Sequence, residues 1–445
     1  MVVSLGVAVV AFGFQQTGVI PAIPAIRRSF DASQTWSAWL TTGYLVASVI
    51  FTPLAGKLAD RYGKRRLLLG SLAMFLLGSA GAASAPSLGW LLGARALQGG
   101  GGAVFPLTLA IARDEMPEGR TGTAIGVLTG GFGLGTLLGF GGGGAIVQAL
   151  DWRWVFIAGG VAVAGAIALA WYGVPHSTVR TKAGLDLAGG ALLTGGLAVL
   201  LVALTEAPSA GWGSPWIVAG FVVSPLLLVS WALYDLRVEE PLLDLHVLGE
   251  RTVLLANLGA IGMGFALFET YFLVPFLVQG SGHGYGFGAD TLQSGLFLLP
   301  AAVGQLLAGP LGPRLADRIS AAWTYTLGLG LLAVALAGLA FLHGHEVLVA
   351  VWTLLVGAGV GLAIDVGSDV VAEGVAEEET GIATSLNSVL RRLGGGIGGQ
   401  VAAALLAGLT VAGQPTNGAF VAAFVTGAIV AAVGGALTLG IPRGG

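Results

Sequence analysis

The sequence predicts an all-α polytopic membrane protein: two pseudo-symmetric six-helix bundles with a two-helix insert between them, fourteen transmembrane helices in all. Three observations predict it. The 445 residues are 55% hydrophobic and only 10% charged, with a mean hydropathy of +0.87, too little charge to cover soluble domains of this size. Apolar runs near the length of a bilayer crossing recur along the whole chain. And one short polar motif appears twice: Lys57-Leu58-Ala59-Asp60-Arg61 returns as Arg314-Leu315-Ala316-Asp317-Arg318, the mark of a duplicated, two-bundle transporter.

Taken in order, the runs predict helices over 2–25, 37–57, 67–85, 88–112, 120–148, 153–174, 186–206, 214–235, 252–279, 290–311, 321–342, 347–374, 380–411 and 418–440. Residues 1–12 are apolar without a basic start, which reads as a retained first helix and not a cleaved signal. Between the second and third runs, Gly56 to Arg66 carries five cations in eleven residues. Cations collected in a short connection stay on the cytoplasmic side. Gly56 and Gly63 would allow the reversal, and Asp60 can accept hydrogen bonds from nearby arginines or helix N-termini. The plainer reading is a basic turn that only sets orientation.

With both termini inside, the cytoplasmic connections and the C-terminus hold fourteen of the 20 Lys and Arg residues, including Arg61, Arg65 and Arg318. The outside loops hold Arg27, Arg28 and Arg153, while Arg95, Arg391 and Arg392 fall inside helices. That asymmetry predicts an even helix count and cytoplasmic termini in a plasma membrane. Asp60 and Asp317 stand 257 residues apart, more than two equal six-helix halves allow, and the hairpin 186–235 supplies the excess. The expected division is 1–175, a six-helix bundle; 176–250, the insert and its connectors; and 251–445, the second bundle. The 76 glycines fit close helix packing in lipid.

Several motifs appear in one order. They are Gly56 to Arg66; Arg95-Ala96-Leu97-Gln98-Gly99-Gly100-Gly101-Gly102-Ala103; and Gly126, Gly135, Gly139, Gly143 and Gly144 on the fifth helix. Trp152-Arg153-Trp154-Val155-Phe156, Pro241-Leu242-Leu243-Asp244 and Arg391-Arg392-Leu393-Gly394-Gly395 complete the series. Over essentially its full length the chain resembles the major facilitator superfamily, and within it the fourteen-helix drug:proton antiporters. The resemblance implies a major facilitator fold and proton-coupled, multidrug-type efflux by alternating access. It also implies a part for Arg95 in proton coupling and a helix-packing role for the fifth-helix glycines. Two departures stand out: Gln15-Gln16-Thr17 replaces an acidic first-helix motif, and Phe140 replaces a proline on the fifth helix.

Charge deep in lipid needs a reason, since it costs about 2.5–3.5 kcal/mol even on insertion scales. Glu269, mid-span among Phe265, Phe268 and Tyr271, is the first candidate proton carrier; its alternative is a buried carboxyl hydrogen-bonded to a neighbouring helix. Asp365 and Asp369, four residues apart and so on one helix face, could form a switching or a static network with Arg391 and Arg392. Arg95, with Gln98 on its face, either couples protons or is held by backbone carbonyls of the first and fifth helices. Gln15, Gln16, Thr17, Gln98, Tyr271 and Asn387 are candidate cavity residues, as are Trp36, Trp39 and Tyr44, unless these are interfacial aromatics and packing polars. Gly56, Asp60, Arg61, Gly63, Arg65, Asp317, Arg318, Arg391 and Arg392 are candidate gates.

The expected partners are the lipid bilayer, a small-molecule substrate and protons, with the chain acting as a monomer. No cofactor is expected. The net charge of −3 offers no field for nucleic acid. Gly394-x-Gly396-x-x-Gly399 matches a dinucleotide pattern without the strand that pattern needs, no phosphate-binding Gly-x4-Gly-Lys-Ser/Thr occurs, and His343-x-His345 alone is a weak metal site. Export or flipping of a lipid-like or neutral metabolite is the alternative function. A non-transporting sensor or channel is more remote, and an enzyme is not expected.

Overall fold

A computed structural model describes all residues except 118–119, 176–185, 239–240, 242–244, 282–284, 376–379, 412 and 442–445, and except the side chains of 60, 121–123, 187, 381–382 and 385. The motif Pro241 to Asp244, the histidines His176 and His283, and the side chain of Asp60 therefore lie wholly or partly outside the described residues. The fold is helical. In order come α1 Val2–Thr17, α2 Ile23–Ser29, α3 Gln34–Tyr62, α4 Lys64–Ala83, α5 Leu88–Gln98, α6 Val104–Glu115, α7 Thr121–Ala149, α8 Arg153–Gly173 and α9 Leu187–Ala210. Then follow α10 Pro215–Asp235, α11 Arg251–Gln279, α12 Thr291–Ala308, α13 Leu311–Ile319, α14 Ala321–Phe341, α15 Glu346–Glu373, α16 Thr380–Gly408 and α17 Asn417–Thr438. Among the described residues, eleven helices are long and apolar enough to cross a membrane. Each of the fourteen expected runs falls on one helix or on a short series of them.

Three runs differ from a single rod. The first stops at Thr17 and resumes as α2, with Pro24 in its first turn, where the missing N–H costs nothing. The fourth is interrupted after Gln98 by a 3₁₀ turn, Gly99–Ala103, before α6 begins. The tenth ends at Ala308 and is followed by the short α13. After α16, the residue pairs Thr410–Val411 and Gln414–Pro415 form a small antiparallel hairpin. Phe140, in place of a proline, leaves α7 unbroken across 29 residues.

The repeated polar motif is helix, not loop. Lys57 to Tyr62 are the last turns of α3, and the reversal is made by Gly63 alone, at φ 99°. Gly56 lies within the helix with open space beside it, so it takes no part in the turn. In the second copy, Arg314 to Arg318 lie in α13 and the reversal falls on Ser320, at φ 128°. Ser320 is 257 positions after Gly63, the same interval that separates Asp60 and Asp317. A serine there holds a backbone conformation that suits glycine, and its hydroxyl caps α14 by accepting from Trp323 N–H at 3.3 Å.

Two compact units are present. One comprises 1–32, 39–185 and 290–296; the other comprises 33–38, 186–289 and 297–445. In the first unit α7 packs on α1, where a side chain at Gly135 would overlap the Val10 carbonyl and one at Gly139 would overlap Thr17. Gly143 meets Gly18 in the same way, and Gly144 lies against Thr291 and Leu292. Gly126, expected in this seam, has nothing within 4 Å and is not part of it. In the second unit α16 packs on α11 by the same device: Gly394 abuts the Ile261 carbonyl and Gly398 the Phe265 carbonyl. Both seams step by four residues, as glycine faces that bring backbones together should. The hairpin α9–α10 belongs to the second unit, and Thr205 of α9 accepts a 2.7 Å hydrogen bond from Gln400 of α16.

Candidate functional site

Each unit buries a polar feature that packing alone does not require. In the first unit it is built around Arg95, which α5 carries into the core at 0% exposure. Its Nε donates to the Leu40 carbonyl at 2.8 Å, its Nη1 to Gln98 Oε1 at 2.7 Å, and its guanidinium lies 4.8 Å from the centre of the Tyr44 ring. Gln98 passes the chain on, donating from Nε2 to Ser79 Oγ at 2.9 Å; Gln15 Nε2 donates to the same oxygen at 2.6 Å. Ser79 in turn donates to the Phe75 carbonyl at 2.8 Å. Four helices, α1, α3, α4 and α5, thus meet at one buried polar thread.

The thread is incomplete. Arg95 Nη2 and Gln15 Oε1 are buried without a hydrogen-bond partner, and no described carboxylate pairs with the guanidinium. The carbonyl that holds Arg95 comes from α3, whereas the backbone-held alternative drew on the first and fifth helices. The 3₁₀ turn begins directly after Gln98, and its four glycines are pressed against Ala47, Met74, Phe75 and Ser48. Short 3₁₀ pieces inside a longer helix are where helices commonly bend.

The neighbouring cavity candidates divide. Gln15 joins the thread; Gln16 is half-buried with an unpartnered Oε1. Thr17 is a packing residue, since its hydroxyl engages the Gly13 and Thr136 carbonyls at 2.9 and 3.1 Å. Trp36 donates to Glu206 Oε1 at 2.8 Å, and Trp39 is half-buried.

In the second unit the feature is Glu269 on α11, also 0% exposed. Neither carboxyl oxygen has a hydrogen-bond partner, so the hydrogen-bonded structural alternative is not what the structure contains. The carboxyl points to α17, where a side chain at Gly427 would overlap it, with Leu336 of α14 beside the same place. The glycine is what leaves room for the acid. Tyr271, two residues along α11, is buried and meets Phe268 edge to face at 5.7 Å. Asn387 donates to Asn257 Oδ1 at 3.2 Å, tying α16 to α11.

The remaining candidates are more open. Asp365 and Asp369 are exposed on α15, and Arg391 and Arg392 are half-buried. Asp365 and Arg391 are close enough to feel each other's charge, but no ion pair within 4 Å joins the four among the described residues. Asp317 and Arg318 are likewise on the open side of α13 without an ion pair among the described residues. Arg61 lies 5.4 Å over Tyr62. At the other end of the turn, Lys64 pairs with Asp114 at 2.5 Å and Arg65 donates to the Trp171 carbonyl. His343 is no metal ligand here: its ring nitrogens engage the Leu339 carbonyl at 2.7 Å and Asn417 Oδ1 at 2.8 Å. Gly394 to Gly399 lie inside α16 against α11, as packing and not as a phosphate loop.

A family model described as Major Facilitator Superfamily matches residues 5–399, and again 259–444. The chain belongs to the Major Facilitator Superfamily. Among solved structures, one titled "Crystal structure of peptide transporter POT in complex with sulfate" superposes with a TM-score of 0.74 at 15% identity, covering 99% of this chain and 94% of that one. A point mutant of the nucleoside transporter NupG gives 0.69 at 12% identity, covering 99% and 100%. These likenesses carry the fold.

Curated relatives include a "Multidrug resistance protein B homolog" of Mycobacterium tuberculosis, 32% identical over 70% of this chain and 57% of the relative. The "Puromycin resistance protein pur8" of Streptomyces alboniger is 34% identical over 73% and 63%. The "Tetracenomycin C resistance and export protein" of Streptomyces glaucescens is 29% identical over 81% and 66%. The chain thus spans between about half and two thirds of the length of these relatives.

Ser79 and Leu40 are the site residues that the sequence did not single out. A serine in an apolar helix reads as packing, and a backbone carbonyl has no signature at all. Gly78, beside Ser79, was the one available sign: a side chain there would collide with Gln98, so that glycine marks where α5 comes closest to α4.

Proposed function

We propose that this chain is a proton-coupled secondary transporter that exports hydrophobic or amphipathic small molecules by alternating between inward-open and outward-open states. It is not an enzyme. The observation that carries the reading is Glu269: a fully buried carboxyl with no partner for either oxygen, in a helix long enough to cross the membrane. Holding a charge in such a place is expensive, so the gain and loss of a proton changes which packing of α11 against α17 is favoured. A proton entering down a 100 mV potential supplies about 2.3 kcal/mol for that change. Arg95, Asp365 and Asp369 are the secondary coupling groups. The printed names of the relatives support drug or antibiotic export as the cargo class.

In this reading the chain has fourteen spans, two six-helix bundles and the α9–α10 insert, sits as a monomer in the plasma membrane, and keeps both termini in the cytoplasm. Arg61, Arg65, Asp317 and Arg318, with Asp60, line the cytoplasmic side and stabilise one state. One observation favours a second cargo class. The Arg95 thread takes an amide, Gln15, where the resembling antiporters place an acid; a neutral or lipid-like substrate fits that lack of carboxylate better than a cationic drug.

The test is a pH-gradient assay in proteoliposomes with a panel of cationic, neutral and lipid-like substrates, comparing the parent with Glu269→Gln. Uphill movement of one class that is lost in the variant is the expected result. Equal uphill movement by both proteins would overturn Glu269 as carrier.

A further inference from the structure

We propose that the groove between α4 and α8 is a binding site for an anionic phospholipid of the leaflet that faces the Gly63 turn. The groove is a shallow, open depression of about 450 Å³ lined by Leu76, Ala164, Ile167, Ala168, Trp171 and Tyr172. Its wall is mostly carbon, and it opens outward: Trp171 is 59% and Tyr172 89% exposed. In water such a surface would be a liability; in a membrane it is a seat for an acyl chain.

One end of the groove is different from the other. At the start of α4, Arg65 donates to the Trp171 carbonyl and lies 5.7 Å over the Trp171 ring, and the exposed Arg66 follows it. Cations therefore mark the Arg65 end, and the Trp171–Tyr172 pair marks the depth at which aromatic side chains meet headgroups. From Arg65 to Leu76 is eleven residues, about 16 Å along a helix at 1.5 Å per residue, or roughly half of a 30 Å hydrocarbon layer. A lipid lying there places its phosphate at the arginines and its chain along the groove to mid-membrane. The exposed Arg66 can bind phosphate oxygens through its guanidinium fork, while Arg65, with its Nε buried and its Nη2 on the Trp171 carbonyl, adds positive charge at the groove's end. An anionic headgroup leaves no opposing choline or amine charge at that place.

The experiment is native mass spectrometry of the purified, delipidated full chain titrated with phosphatidylglycerol or with phosphatidylcholine of the same acyl chains. The parent is expected to retain phosphatidylglycerol at least tenfold better. Ala168→Trp, and independently Ala164→Trp, fill the groove from its exposed side and should each lower phosphatidylglycerol retention at least tenfold. Arg65→Gln with Arg66→Gln should bring the two lipids to equal retention. Equal retention of both lipids by the parent, or undiminished phosphatidylglycerol retention in both folded tryptophan variants, overturns the site. Because the readout is lipid retention, it stands or falls separately from proton coupling at Glu269.

Discussion

Replacing Glu269 by leucine should make the protein more stable and, under the proposed function, abolish proton-driven transport. The carboxyl lies at 0% exposure with two oxygens that bond to nothing, against Gly427 and Leu336. A buried polar group without a partner costs about 1–3 kcal/mol, and an apolar group of similar shape removes that cost. Leucine is close to glutamate in size, and the space opposite Gly427 already accepts it. The expected gain is therefore about 1–3 kcal/mol, read as a higher apparent Tm of the purified protein in detergent. Glu269→Gln keeps two unpartnered polar atoms and should leave Tm near the parent's. In proteoliposomes both variants should lose uphill transport driven by a pH gradient, while exchange of substrate across the membrane persists. A lower Tm for Glu269→Leu with an unchanged Tm for Glu269→Gln would mean that the carboxyl has a partner, and the reasoning built on its isolation would fail.

Gly427→Ala should destabilise the parent by about 1–3 kcal/mol through overpacking against that carboxyl, and by much less in a Glu269→Ala background; equal costs in the two backgrounds would show that the pair is not coupled. Ser79→Ala removes the acceptor shared by Gln15 and Gln98; thermal unfolding should report a loss of about 1–3 kcal/mol, with Ser79→Thr closer to the parent. Ser320→Gly should raise stability by about 1 kcal/mol, since relief at φ 128° outweighs the few tenths lost with the cap, whereas Gly63→Ala at φ 99° should lower it. On α7, Gly135→Ala drives a methyl into the Val10 carbonyl and should cost about 1–3 kcal/mol; Gly126→Ala meets nothing and should be neutral or slightly stabilising.

Much of this architecture could be read from the chain because the bilayer restricts the choices. A run of about 20 apolar residues has one way to satisfy its backbone in lipid, and the repeated Lys57–Arg61 and Arg314–Arg318 motif pointed to a duplicated chain. Less legible was what happens inside the runs. Gly63 and Gly56 look alike in sequence, yet only Gly63 turns the chain, and its counterpart is a serine that no turn rule would select. Arg95 announced itself as a costly charge, but its partners the Leu40 carbonyl and the Tyr44 ring, and Ser79 beyond Gln98, belong to other helices and follow from rotation and register.

Glu269 shows how that rotation is decided. Sequence neighbours put it among aromatics, but the face it presents is set by the seam of α11 with α16, where Gly394 and Gly398 admit the Ile261 and Phe265 carbonyls. The first unit repeats the seam with Gly135 at Val10 and Gly139 at Phe14. Matching Val10 to Ile261 and Phe14 to Phe265 carries Gly18 onto Glu269. In one half, then, the position holds a glycine packed against Gly139 and Gly143; in the other it holds an acid packed against a glycine. Duplication built the same close approach twice and filled it differently. The first unit is left with a buried cation and no described carboxylate beside it, the second with a buried carboxyl and no described cation in contact with it. Neither buried group finds an opposite charge within its own unit among the described residues. Burial without such a partner lowers stability in a resting state, and under the proposed function it gives a proton something to change.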